Sequence, residues 1–176
     1  TEEQIRHFLD AVHQVAVALD ADCDPPEAAR ILNSAQELDR LCARFDVRIG
    51  LTLESASGPW PEVRVADAAA QAGLEPLHAL RWALPDAGRP PWLSLSMPSP
   101  VASTAWLEYD VPAATADGAG LRTLFSLGNQ LATILGARIV DDNGRPIEPQ
   151  SAAAIEQQLA KLYDEMRAAG IDPGGE

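Results

Sequence analysis

Apolar side chains recur along this chain with two different periods. Over residues 3–19, Ile5, Phe8, Leu9, Val12, Val15, Ala16 and Leu19 share one face at a 3.6-residue spacing, which predicts an amphipathic helix. The stretch Asp22-Cys23-Asp24-Pro25-Pro26 ends it. A second helix is expected from about 27 to 44, with Ile31, Leu38, Leu41, Cys42 and Phe45 on its apolar stripe. At residue 47 the period falls to two. Val47, Ile49, Leu51 and Leu53 alternate with Arg48, Gly50, Thr52 and Glu54, the pattern of a strand with one buried face.

The remainder alternates between these two habits. Ser57-Gly58-Pro59 turns the chain into a short helix over 60–72, with Pro61 in its first turn and Gly73 as its stop. Weaker strands are expected around 74–77 and 79–84, followed by a loop over 86–91. In 92–97, Leu93, Leu95 and Met97 point inward, and Trp92, Ser94 and Ser96 outward. In 106–111, Leu107, Tyr109 and Val111 point inward, and Pro112 ends the strand. A long helix over about 117–135 closes at Gly136. A strand over 137–142 reaches the turn dipeptide Asn143-Gly144, and a last helix runs from Pro149 to about Ala169. The tail Ile171–Glu176 is expected to fray. Cleanly alternating strands imply a mostly antiparallel sheet with one open face. The expected fold is therefore α+β: a two-layer domain with about three helices on one face of the sheet, preceded by two extra amino-terminal helices.

Composition narrows the partners. The chain has 176 residues, 47% of them apolar, enough for one sizeable core. No apolar run approaches the roughly 20 residues of a membrane span, and Thr1 leads straight into a helical pattern with no signal-peptide character. A soluble piece of a longer chain is expected. The net charge of −13 argues against nucleic acid and against an anionic lipid surface, since both need clustered Lys and Arg. Cys23 and Cys42 read as reduced, partly buried thiols of a cytosolic protein rather than as a disulfide or a zinc site.

Candidate chemistry is sparse. Asp141-Asp142 is the most suggestive pair, but neighbouring strand residues point to opposite faces, so the two carboxylates do not converge on one ligand. Their expected role is structural: accepting hydrogen bonds from the following turn or pairing with Arg145, with Pro146 and Pro149 steering the chain onward. A metal or acid/base role for Asp141 or Asp142 is the competing reading. His7 and His13 lack the i,i+4 spacing of a helical metal pair, and His78 is alone in a turn. No GxSxG, phosphate-binding loop or GxGxxG occurs. No catalytic residue, metal site or cofactor is expected.

The segments Asp110-Val111-Pro112 and Leu135-Gly136-Ala137-Arg138-Ile139-Val140-Asp141-Asp142-Asn143-Gly144-Arg145-Pro146 resemble the ZipA family of bacterial cell-division proteins, in its C-terminal FtsZ-binding domain. Leu159, Leu162, Tyr163 and Met166 through Ala169-Gly170-Ile171 resemble the family's closing helix. The resemblance covers roughly residues 46–172, leaving a helical segment at 1–45, similar to one in β-proteobacterial members, and a tail at 173–176. It implies a non-enzymatic adaptor that binds the C-terminal peptide of FtsZ on the open sheet face. The division ring is thereby tethered at the cytoplasmic face of the inner membrane, by an anchor outside this chain and without direct membrane contact by this part.

Alternation places Arg48, Gly50, Thr52, Ser94, Ser96, Trp92, Trp106 and Glu108 on that face. The strand around residue 82 is ambiguous, presenting either Leu80, Trp82 and Leu84 or Arg81 and Ala83, and Trp82 is included as a candidate partner-binding residue. Aromatic anchors suit a peptide-binding surface. Arg48, Ser94, Ser96 and Glu108 make the face more polar than the family's, which implies weaker binding or a peptide of different composition. The alternative expectation is a structural or self-associating domain, its sheet face covered by helices 1–45 or by another copy.

Overall fold

In a computed structural model, residues 1–141, 144–147 and 149–175 are described, the side chains of residues 149–151 excepted. The chain divides into two compact units, Thr1–Phe45 and Asp46–Glu176.

The first unit is a pair of helices, α1 (Glu2–Ala18) and α2 (Ala28–Phe45). Thr1 caps α1: its Oγ1 accepts from the Gln4 amide while the Gln4 side chain bonds back to the amino terminus. Of the expected stripe, Ile5, Leu9, Val12 and Ala16 are partly or fully buried, whereas Phe8, Val15, Leu19 and Leu38 are exposed. A two-helix unit has one internal interface, so a stripe wider than that interface keeps its flanks in solvent. The same geometry leaves both cysteines exposed, correcting the expectation of partly buried thiols.

The second unit is built on a six-stranded, wholly antiparallel sheet. Its strands are β1 (Arg48–Ser55), β3 (Glu75–His78), β4 (Arg81–Ala83), β5 (Leu93–Ser96), β7 (Thr104–Asp110) and β8 (Ala137–Val140), in the spatial order β3-β4-β5-β7-β1-β8. A two-stranded ribbon of β2 (Trp60–Pro61) and β6 (Val101–Ala102) stands apart from it. Helices α3 (Glu62–Gln71), α4 (Ala119–Leu135) and α5 (Pro149–Ala168) complete the unit. The architecture is the expected two-layer α+β domain with two additional amino-terminal helices.

The core lies where the register stacks apolar residues. Leu51 pairs with Leu107, Leu107 with Leu95, and Leu95 with Trp82; in the next row Ile49 pairs with Tyr109 and Tyr109 with Leu93. Helices cover this face, and α4 comes close enough that small residues are required. A Cβ on Gly120 would sit 2.5 Å from the Tyr109 ring, and one on Gly128 would sit 2.8 Å from a Leu51 methyl. α5 contributes Leu159, Tyr163 and Met166, all buried. The Tyr109 and Tyr163 hydroxyls meet at 2.5 Å, and Tyr163 also lies 3.5 Å from the Val111 carbonyl.

Two elements differ from the alternation-based reading. Residues 60–61 form a ribbon strand ahead of α3, and the fully buried Trp60 donates from Nε1 to the Leu135 carbonyl at 3.1 Å. Arg64 donates to the same oxygen, so an indole and a cation close the carboxyl end of α4. The tail is also held rather than frayed up to Gly175: Pro173 is buried, the Gly174 amide donates to Pro112, and Arg89 donates to the Gly174 carbonyl. Among the described residues no helix is long and apolar enough to cross a membrane.

Candidate functional site

The face opposite the helices is made by the intervening residues. One row runs from Val140 through Thr52, Trp106 and Ser96 to Arg81; the next runs from Gly50 through Glu108 and Ser94 to Ala83. The floor is mostly small: Gly50, Thr52, Ser94, Ser96 and Ala83. No atom lies within 4 Å of a Cβ built on Gly50, which is open space. Trp106 stands above this floor with 40% of its surface exposed.

Polar groups tie the floor together. Arg81 Nη2 donates to Ser94 Oγ at 3.0 Å and lies 3.7 Å from a Glu108 oxygen. Ser94 and Ala83 are consequently shielded, Ser94 to 6% exposure. Arg81 Nε is buried without a hydrogen-bond partner among the described residues. At one end Arg48 lies 3.9 Å from both Asp46 and Asp110, and at the other Arg138 meets Glu54 at 2.9 Å. Arg81 and Arg138 each meet one acid and Arg48 meets two, and such exposed contacts contribute little stability.

Of the residues expected on this face, Arg48, Gly50, Thr52, Ser94, Ser96, Trp106 and Glu108 are brought together on it. Two tryptophans are not. Trp82 pairs with Leu95 on the helix-covered side and is only 5% exposed. Burial of the large apolar ring while Arg81 stays at the surface resolves the ambiguity of that three-residue strand. Trp92 packs edge-on against Tyr109, with ring centroids 5.8 Å apart, and borders a cavity of about 280 Å³ shared with Gly120 and Thr123 of α4. It stands one residue before β5 and directly after Pro90-Pro91; the Asp110 amide still donates to its carbonyl at 2.8 Å, but its ring lies against Tyr109 rather than over the open face. Arg81 and Ala83 replace the two tryptophans on the open face. The cross-strand partner Leu95 was the signal for this, since its inward direction fixes that of Trp82.

Asp141 lies at the end of β8, where its Oδ1 accepts from the Arg145 amide at 2.8 Å and its own amide donates to the Arg145 carbonyl at 2.8 Å. That is a turn-closing arrangement. Asp142 lies outside the described residues. Among the described residues, no group of three or more His, Cys, Asp or Glu side chains is placed to hold a metal.

The displaced protonation equilibria lie on the other side of the sheet. Burial, reinforced by the shared hydrogen bond, pushes the Tyr109 hydroxyl far up, and burial also raises that of Tyr163. Both hydroxyls lie within the packed layer, bonded to each other. Set against known proteins, the chain matches no protein-family model and no curated sequence.

Proposed function

We propose that residues 46–172 form a ZipA-like adaptor domain that binds the C-terminal peptide of FtsZ on the open face of the sheet. On this reading the domain is non-enzymatic, needs no cofactor, and helps tether the division ring at the cytoplasmic face of the inner membrane. Sequence support comes from the 135–146 signature and from Asp110-Val111-Pro112. The observation that carries the proposal is the exposed Trp106 beside a floor of Gly50, Thr52, Ser94 and Ser96. An aromatic ring at the edge of a small-residue floor gives an amphipathic peptide both an anchor and a place to lie.

Fluorescence anisotropy of a labelled FtsZ C-terminal peptide, titrated with the full chain, tests this reading. Saturable binding that Trp106→Ala weakens by about 30-fold, the scale of an interface hot spot, supports it. Absence of binding, or equal binding by the variant, removes it. The exposed Phe8, Val15, Leu19 and Leu38 of the helical unit favour a second reading, self-association through that unit. Sedimentation velocity on the full chain decides it, since a monomer across the concentration range excludes it.

A further inference from the structure

β1 is an interior strand for only part of its length. On the β7 side it is paired from Arg48 to Glu54, but on the β8 side only from Thr52 to Ser55. Two bonds fix the phase on the β7 side: the Val111 amide donates to the Val47 carbonyl, and the Ser55 amide to the Ser103 carbonyl. Odd-numbered residues of β1 therefore turn their amides and carbonyls toward β7. Even-numbered residues turn theirs the other way. Thr52 and Glu54 meet β8, whereas Arg48 and Gly50 face no strand among the described residues. β8 leaves this line at Asp141, where the chain folds back so that Val140 bridges Pro146. Among the described residues, two amides and two carbonyls of β1 thus have no strand partner.

Apolar side chains wall that edge. Val47, Arg48, Ile49 and Gly50 face Ile155, Leu159 and Leu162 of α5 across a groove of about 450 Å³. An adjoining cavity of about 250 Å³ shares Ile49, Gly50 and Ile155 and continues to Leu51, Phe125 and Ile147. Unpaired strand groups repeating every second residue are matched by one kind of ligand, another backbone in extended conformation. Its alternate side chains enter the groove, whose volume suits a few aliphatic groups rather than a folded domain. Arg48 at this edge is matched by two acids, Asp46 and Asp110, in a chain of net charge −13, so basic flanks on the incoming segment complement the remaining negative field.

We infer that the Arg48–Gly50 edge is a second docking site, taking by strand addition an extended aliphatic segment with basic flanks from a partner protein. It is separate from the open-face reading: Arg48 and Gly50 act here through their backbones, and neither Trp106 nor Arg81 takes part.

The test is a nuclear magnetic resonance titration of the ¹⁵N-labelled full chain with a synthetic peptide of alternating valine and threonine flanked by lysines. In the free protein the Arg48 and Gly50 amides should exchange quickly with solvent. Saturating peptide should shift them and protect them, leaving the Trp106 indole unmoved. Gly50→Pro removes an outward amide that has no strand partner among the described residues, at a position with open space around its Cβ, so the fold should persist while affinity falls about tenfold. Ile155→Glu puts a charge in the groove without touching the edge and should weaken binding similarly. Amides of Arg48 and Gly50 already protected in the free protein would overturn the inference. So would a peptide that leaves them unmoved, or one that shifts Trp106 and Ser96 instead. If Gly50→Pro does not fold, Ile155→Glu decides alone, and parental affinity in that variant rejects the site.

Discussion

The two faces of the central sheet are made by the same strands and differ by one residue of phase. On one side Leu51, Leu95, Leu107 and Tyr109 are sealed under helices, with no more than 1% exposure. On the other, one position along, stand Gly50, Thr52, Ser94, Ser96, Trp106 and Glu108, mostly small or polar and partly open. The first face is packed so closely that glycines are needed at 120 and 128 of α4. The second has empty space over Gly50 and one aromatic ring standing free. Packing is thus concentrated on one side of strands whose other side is partly open, and adjacent residues should respond very differently to the same substitution.

The largest contrast is expected between Leu107 and Glu108. Leu107→Ala empties a fully buried site between Leu51 and Leu95 and should cost about 2–5 kcal/mol in chemical denaturation. Glu108→Ala removes one member of a half-exposed pair with Arg81 and should cost less than about 1 kcal/mol. Comparable losses from both would mean that the open face is itself part of the core, and the two-sided description would fail.

A smaller effect is expected from the tyrosine pair, which joins α5 to the packed face. Tyr163→Phe leaves the Tyr109 hydroxyl buried without its 2.5 Å partner, at a cost of about 1–3 kcal/mol. Replacing both by Phe should cost less than the sum of the single changes, because no orphaned hydroxyl remains. The same pair gives the packed face a pH dependence. Burial raises both phenol pKa values, so above the ordinary value of 10.0 the unfolded chain loses protons that the folded chain keeps. Stability is therefore intact below pH 10.0 and declines above it, by up to about 1.4 kcal/mol per pH unit for each tyrosine. These are the chain's only two tyrosines, so an absorbance titration of tyrosinate reads them without interference. A double Phe variant that declines just as steeply would place the alkaline sensitivity elsewhere.

Strand phase also decides how much of the fold could be read in the sequence. Alternation in 47–54 and 106–111 is long enough to be self-consistent, and it gave the inward and outward sets of β1 and β7 correctly. Strand β4 has three residues and follows Leu80, which adopts a positive φ of 59°. Its phase is set by pairing with β5, information that lies a turn away in sequence, so Trp82 could be assigned only through Leu95. Trp92 is a related case: it sits at the very start of the strand, after Pro90-Pro91, where its backbone still pairs with Asp110 but its ring packs on Tyr109, a contact that alternation does not encode. The Trp60–Leu135 bond spans 75 residues, and the tail's attachment at Pro112 and Arg89 is equally non-local. Local periodicity carries no trace of such contacts. Where β8 stops pairing with β1, at Val140 among the described residues, is likewise something alternation does not encode.

A smaller effect again is expected at Trp106, and it sharpens the comparison most. Tryptophan is normally costly to remove, at about 3–5 kcal/mol from a core. Trp106 is the least buried of the four tryptophans: Trp60 and Trp82 lie in the core and Trp92 packs on Tyr109. Trp106→Ala should therefore shift stability by only about 1–2 kcal/mol while removing most of the fluorescence accessible to an aqueous quencher. The two readouts act as a pair. Small destabilisation with lost quenching leaves the ring free for a partner, as an anchor above a small-residue floor must be. A loss of several kcal/mol would instead make Trp106 a structural cover for Thr52 and Ser96. The open face would then lose the one side chain able to give a bound peptide substantial energy.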